Sequence, residues 1–311
     1  MMYHYWSLDS LEWKNSWLTI GSFDGVHRGH QEIIRQMVVT AHAHNSPAVV
    51  LSFYPHPAKV LSKRQDFKYL STPEERNVQL RSLGVDLAVT HPFNLQIAGR
   101  SARDFMLHLK QQLGLQELWV GFDFALGRKR EGDIPRLSEL GEALGYRLHV
   151  IDAIRSSEQP ISSSLIRTAL AEGNIRLTNQ LLGQIYGLDG LVIPGDGRGR
   201  TIGIPTANLD VWNEKALPKP GVYTCHATFE GQTWGAVANI GYRPTFENRP
   251  VLARVETHLL DYHGDLYGKR VRLEFLDRLR DEQRFPNIDA LVQQIQADIQ
   301  IARQQLNGGV E

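Results

Sequence analysis

The chain has 311 residues, which at roughly 150 residues per domain points to about two domains. Hydrophobic residues make up 42% and charged residues 22%, a globular composition that excludes a disordered chain. Lys and Arg number 34 and Asp and Glu also 34, so the formal net charge is zero. That balance speaks against a nucleic-acid coat and leaves room for a local phosphate pocket. The single cysteine, Cys225, rules out an intrachain disulfide and a cysteine-built zinc cluster, and suits a reducing, cytoplasmic setting. The first residues carry Asp9, Glu12 and Lys14 and lack the apolar stretch of a signal peptide. No apolar run approaches the roughly 18 residues of a membrane span.

In chain order, the first half alternates short apolar runs with helix-like stretches. The runs are Trp17 to Ile20, Ala48 to Phe53, Leu87 to Thr90, Leu118 to Phe122 and Leu148 to Ile151. They read as buried parallel strands. Between the first two lies Gly29 to His44, with Ile33, Ile34, Met37, Val38 and Ala41 on one helical stripe. Thr72-Pro73-Glu74-Glu75 reads as an N-cap, a first-turn proline and two acids that suit the helix dipole, and that helix should stop near Gly84. Ser101 caps a further helix through Phe105, Leu109 and Leu113, with Gly114 as its stop. Alternating strands and helices predict βαβ units.

Near Gly183 to Gly190 the pattern turns to β. Val222 to Phe229 and Thr233 to Ile240 flank a turn at Glu230-Gly231-Gln232. Val251 to Leu260 and Lys269 to Phe275 read as another pair joined through Asp261 to Gly268. Asn287 caps a last helix with Ile288, Leu291, Ile295, Ile299 and Ala302 along one side. The expected architecture is α/β plus β: a Rossmann-like domain with a parallel sheet at 1–185, then a small antiparallel barrel with a terminal helix at 186–311.

The chemistry-bearing stretch of the first half is Thr19-Ile20-Gly21-Ser22-Phe23-Asp24-Gly25-Val26-His27-Arg28-Gly29-His30. A strand runs into a glycine loop and then a helix, whose free N–H groups and positive dipole end suit phosphate. His27 and His30 can donate to phosphate oxygens as charge develops. Either histidine alone reads more simply as a surface residue near a cap; together they favour phosphate chemistry. Further motifs are Phe53-Tyr54-Pro55-His56-Pro57, Val120-Gly121-Phe122-Asp123-Phe124, and Ile161-Ser162-Ser163-Ser164-Leu165-Ile166-Arg167, where hydroxyls and Arg167 open a helix. Each has an ordinary reading as a proline turn, a loop or a serine cap.

The β half adds Gly199-Arg200-Thr201-Ile202-Gly203-Ile204-Pro205-Thr206-Ala207-Asn208-Leu209. Thr206 and Asn208 offer oxygens to a hard cation such as Mg²⁺, or simply form an Asx-type turn. Glu256, in Val255-Glu256-Thr257-His258, is either an inward general base or an ordinary outward residue. No phosphate-binding Gly-x-x-x-x-Gly-Lys-Ser/Thr loop is present.

The His-x-Gly-His stretch resembles the nucleotidyltransferase superfamily. The motifs in this order, over essentially all 311 residues, resemble the bifunctional prokaryotic riboflavin kinase / FAD synthetase family. The resemblance implies two ATP-dependent steps. In the first domain FMN and ATP give FAD and pyrophosphate. There His27, His30 and Arg167 would be catalytic, Gly21, Phe23, Gly25, Ser163 and Ser164 would hold the nucleotide phosphates, and His56 and Asp123 would meet the flavin. In the second domain riboflavin and ATP give FMN and ADP. There Glu256 would be the general base, Gly203, Thr206 and Asn208 the phosphate site, Thr206 and Asn208 the Mg²⁺ ligands, and Arg280 a flavin contact. ATP is the implied co-substrate and Mg²⁺ the cofactor. Partners would be small molecules, with no nucleic acid and no membrane, in the cytoplasm, compatible with a homo-oligomer. Two departures from the family pattern stand out: Ile204 where an aromatic commonly precedes Pro-Thr-Ala-Asn, and Ala125-Leu126-Gly127 where Arg-Phe-Gly is common. They bear on affinity more than on reaction type. Competing readings are a kinase without adenylyl transfer, a nucleotidyltransferase with another acceptor, a flavin-binding module without catalysis, and an oligonucleotide-binding barrel.

Overall fold

The computed structural model describes all residues except positions 1, 10, 63–65, 157–158, 196–198, 200–201, 243–252 and 309–311, and the side chains at 242 and 253. Arg200, Thr201, Val251 and Leu252 of the stretches named above therefore lie outside the described residues. The chain divides into two units, Met1–Ser163 and Ser164–Glu311.

The first unit is built on a six-stranded parallel sheet of β1 (Tyr3–Tyr5), β2 (Trp17–Ile20), β3 (Ala48–Tyr54), β4 (Leu87–Pro92), β5 (Glu117–Gly121) and β6 (Arg147–Ile151), in the order β1-β4-β3-β2-β5-β6. Successive side chains alternate between faces, so each strand serves two cores. Leu18, Val49, Leu51, Val89 and Val120 pack with Phe105, Met106 and Leu109 of α5 (Ala102–Leu113) and with Leu137 and Leu140 of α6 (Ile134–Leu144). Trp17, Val50, Ala88 and Trp119 pack on the other face with Ile34, Met37 and Val38 of α1 (Arg28–Ala43) and Leu80 of α3 (Pro73–Ser82). Two short helices, α2 (Pro57–Leu61) and α4 (Leu95–Ala98), complete the connections. The expected stop signals hold: Thr72 and Glu75 form a capping box, and Gly114 ends α5 with φ 58°. After β2 the chain turns one way to β3, and it returns across the sheet to β5. The β2–β5 boundary is thus a switch point, where ligands bind beyond the carboxyl ends of strands.

Two two-residue strands, β7 (Arg155–Ser156) and β8 (Gln159–Pro160), precede α7 (Ser163–Glu172) and α8 (Ile175–Leu182). The second unit then forms a closed barrel of β9 (Gly187–Ile193), β10 (Ala207–Val211), β11 (Gly221–Phe229), β12 (Gln232–Tyr242), β13 (Ala253–Leu259) and β14 (Arg270–Arg280), in the order β10-β13-β12-β11-β14-β9. The β11–β12 hairpin turns on Glu230 and Gly231 alone, both at positive φ, as a two-residue turn requires. The expected pairing of the next two strands with each other is corrected. β13 pairs with β10 and β12, whereas β14 pairs with β11 and β9. Closing a barrel gives each strand two partners, and neighbourhood in sequence does not choose them. Tyr223, Cys225, Leu273, Phe275, Val255 and Leu259 are buried. The terminal helix α9 (Ile288–Gly308) is capped by Asn287, whose Oδ1 accepts from Ala290 N at 2.9 Å. It packs Ile299 and Ala302 against Val222 and Val237. Ile288, expected on that stripe, is exposed.

Candidate active sites

The first site grows from the loop between β2 and α1. Phe23 and Val26 have positive φ, 48° and 39°, costly for non-glycine residues. Their side chains are buried in the α1-side core, which offsets that strain. The Asp24 carboxylate, 1% exposed, accepts from Leu70 N at 2.9 Å and Ser71 N at 3.0 Å. Gly25 N donates to Ser71 Oγ at 2.9 Å, Arg76 Nη1 to Ser22 O at 3.0 Å, and Ser163 Oγ to Asp24 O at 2.9 Å. A side chain at Gly21 would press on the Phe23 ring. The loop is thus clamped by side chains remote in sequence.

His27 caps α1, its Nδ1 accepting from His30 N at 3.4 Å. The two imidazoles stack with centroids 3.6 Å apart, and the Phe23 ring meets His30 edge-on. Burial, His27 and Arg76 hold His30 well below its ordinary pKa, so it is neutral near pH 7. Its buried Nδ1 has no hydrogen-bond partner among the described residues. His56 caps α2 through Nδ1, stacks on Phe67 at 4.5 Å, and donates its backbone N–H to the Tyr69 hydroxyl oxygen at 2.9 Å. Asp123 lies exposed just beyond β5, its carbonyl accepting from Arg130 Nη2 at 2.9 Å. In the departing Ala125-Leu126 segment, Leu126 packs against the α5–α6 core. The structure thus joins Gly21, Phe23, Gly25, His27, His30 and Ser163 around one helix start. Ser164 and Arg167 follow on α7 and belong to the second unit.

The second site is a row of side chains across the barrel. Asn208 on β10 is paired with Glu256 on β13, Glu256 with Asn239 on β12, Asn239 with Val222 on β11, and Val222 with Arg280 on β14. All five line one cavity of about 430 Å³, together with Thr206, Arg254, His258, Phe285 and, from α9, Leu291, Ile295 and Asp298. Along β13, Val255, Thr257 and Leu259 are buried while Arg254, Glu256 and His258 take the alternate face. Glu256 is therefore outward from the barrel wall yet faces a cavity, its side chain 27% exposed. His258 Nδ1 donates to Pro205 O at 2.7 Å and ties down the Pro-Thr-Ala-Asn segment. Gly203 adopts φ 77° in open space, so conformation rather than room calls for glycine there. Arg280 Nε lies 3.0 Å from both oxygens of Asp298, which is 2% exposed, and Gln294 also donates to that carboxylate. The Arg280 guanidinium thus joins β14 to α9 and lies over the Phe285 ring at 5.8 Å. Arg254, Asn239 and His258 were missed in the sequence; the period-two pattern around Glu256 marks Arg254 and His258, and only register marks Asn239.

Among the described residues no group of three or more His, Cys, Asp or Glu could hold a metal ion. Thr206 and Asn208 offer hard neutral oxygens on the cavity wall, a donor set that suits Mg²⁺ shared with phosphate oxygens. Among the described residues no helix is long and apolar enough to cross a membrane.

Two family models match in tandem: FAD synthetase over residues 9–165 and riboflavin kinase over residues 182–306. The bifunctional riboflavin kinase/FMN adenylyltransferase of Bacillus subtilis is 37% identical over 94% of this chain and 92% of its own length. The protein of that name in Escherichia coli K12 is 35% identical over 92% of this chain and 91% of its own. A crystal structure described as a macrolide-efflux protein from Streptococcus pneumoniae superposes with a TM-score of 0.89 at 30% identity, covering 97% of this chain and 98% of that one. With a parallel-sheet unit and a barrel unit each matching its own half, the chain belongs to the bifunctional riboflavin kinase/FMN adenylyltransferase family.

Proposed function

We propose how the family's two reactions, riboflavin to FMN and FMN to FAD, are divided over these residues, with domains at 1–185 and 186–311. The observation that carries the reading is that each half holds its own convergent polar set. One is a stacked histidine pair at a helix start. The other is an acid and amides along one cavity.

In the barrel, Glu256 takes the proton from the ribityl 5′-hydroxyl as that oxygen attacks the γ-phosphorus of ATP, and ADP leaves. Asn208, Asn239 and Glu256 lie in one row along the cavity, which supports a single bound hydroxyl meeting the acid and the phosphate site together. Gly203, Thr206 and Asn208 receive the phosphates. Thr206 and Asn208 would hold Mg²⁺, which when bound neutralises phosphate charge. Arg280, held against Asp298, closes the flavin end beside Phe285.

In the first unit, an FMN phosphate oxygen attacks the α-phosphorus of ATP and pyrophosphate leaves. No covalent enzyme intermediate is needed; positioning and charge stabilisation suffice. The positive end of α1, beside the Gly21 to Gly25 loop, receives the nucleotide phosphates. His27 and His30 donate to the transferring phosphate. A neutral His30 with an unpartnered buried nitrogen supports that role. Ser163, whose hydroxyl donates to Asp24 O, adds to the phosphate site, and His56 and Asp123 meet the flavin. The reading takes small molecules as partners, in the cytoplasm, without nucleic acid.

Incubation with riboflavin, ATP and Mg²⁺, followed by chromatography of the flavins, tests both halves. FMN should appear first and FAD follow. FMN alone would remove the adenylyl half of the reading, and neither product, with supplied FMN also unreactive, would remove both.

A further inference from the structure

The barrel site contains a cation that the proposed chemistry does not use. Arg254 Nε donates to Asn208 Oδ1 at 2.7 Å and lies 2.7 Å from Glu256 Oε1. One nitrogen with one hydrogen thus serves two oxygens assigned to different tasks, the phosphate and cation site and the base. The register explains how it reaches both. Asn208 and Glu256 are directly opposed, so Arg254, two residues before Glu256, is the diagonal neighbour of Asn208. On its other side Arg254 is paired with Gly241. The Arg254 and Glu256 side chains are only 31% and 27% exposed, so water screens the pair less than on an open surface.

We propose that Arg254 is a positioning residue for phosphoryl transfer to riboflavin. It fixes which end of the Asn208 carboxamide is presented. Because a carboxamide oxygen carries two lone pairs, Oδ1 can keep the arginine bond and turn its second lone pair to the cavity. It also holds the Glu256 carboxylate in place beside that oxygen. When Glu256 engages the ribityl hydroxyl, the shared N–H remains with Asn208, so neither oxygen is left without its partner. The proposal rests on the assignment of Glu256 and Asn208 made above. It adds that their alignment depends on a third side chain that is neither the base nor a ligand of the phosphate.

The test measures FMN formation by Arg254→Gln, Arg254→Lys, Glu256→Gln and the double variant Arg254→Gln/Glu256→Gln. Riboflavin binding, followed by quenching of flavin fluorescence, and adenylylation of supplied FMN report on whether each half is folded. Arg254→Gln should lower kcat by about 10- to 100-fold, the usual cost of losing a partner that orients a ligand residue. The KM for riboflavin should change less than about threefold, a split that marks loss of transition-state alignment rather than of binding. Arg254→Lys, which keeps a donor and the charge, should regain most of the loss. In the Glu256→Gln background Arg254→Gln should cost much less than it does alone, because the two act as a unit. A kcat within about twofold of wild type for Arg254→Gln, a loss confined to KM, or equal penalties in both backgrounds would each overturn the proposal. Full turnover in Glu256→Gln would instead overturn the assignment of the base, so the two failures are distinguishable. If Arg254→Gln fails to bind riboflavin, Arg254→Met, which keeps the apolar stem without a donor, decides: wild-type binding with a kcat loss of at least about tenfold upholds the role, and a kcat within about twofold of wild type overturns it.

Discussion

The two units make polar sites by opposite means. In the first, backbone dominates: a loop with positive φ at Phe23 and Val26 runs into a helix start, and the side chains of Asp24, Ser71 and Arg76 clamp that backbone. In the barrel, side chains dominate: Asn208, Glu256, Asn239 and Arg280 come from separate strands and meet only because register lines them up. A backbone-built site tolerates neighbouring changes but depends on the few residues that hold its shape. A side-chain row loses its chemistry with one residue and keeps its fold.

The sharpest separation should come from Glu256→Gln. FMN formation should lose at least about 10²-fold in kcat while adenylylation of supplied FMN is unchanged, as a flavin assay with each substrate would show. His30→Ala should do the converse, slowing FAD formation by about 10²- to 10³-fold and sparing FMN formation; equal loss of both products would break the two-site division. Asp24→Ala should act through structure. It leaves the buried Leu70 and Ser71 N–H groups unpaired at about 1–3 kcal/mol each, so thermal unfolding should come earlier and FAD formation fall with it.

Acid should distinguish the units more gently. His4, His30, His91 and His108 are all held below 6.5, each with burial as the first cause. The unfolded chain then binds more protons than the folded one as pH falls past 6.5, so stability is present above that pH and lost below it. Protection against hydrogen exchange, taken relative to the intrinsic rate at each pH, should therefore fall between pH 7 and pH 5 more in peptides of 1–163 than in the barrel; a uniform fall would count against this. The smallest effect should be Asn287→Ala, about 1 kcal/mol from a lost helix cap, read as a lowered Tm with FAD formation from supplied FMN intact.

Much of this was legible in the residue order. Strands β2 to β6, the caps at Thr72, Ser101 and Asn287, and the αL stop at Gly114 follow from local periodicity and side-chain-to-backbone bonds within a few residues. So did the histidine pair, because the strand, glycine loop and helix that aim it are contiguous. The edge strand β1 was not: three residues with exposed Tyr3 and Tyr5 carry no alternation to detect. Nor was the failure of β13 and β14 to pair with each other, which is settled by barrel closure.

The amino-acid order by itself determined the two-part architecture, the helix ends at Thr72, Ser101, Gly114 and Asn287, and the pairing of glycines with His27 and His30, since all of these rest on interactions between near neighbours. Tertiary structure alone decided that Asp24 is clamped by residues 46 and 47 positions away, that Glu256 faces a cavity from the outer side of the barrel, and that Arg254 stands between it and Asn208. Those contacts join strands and loops far apart in sequence, and their partners are chosen by register and closure, which no local pattern encodes.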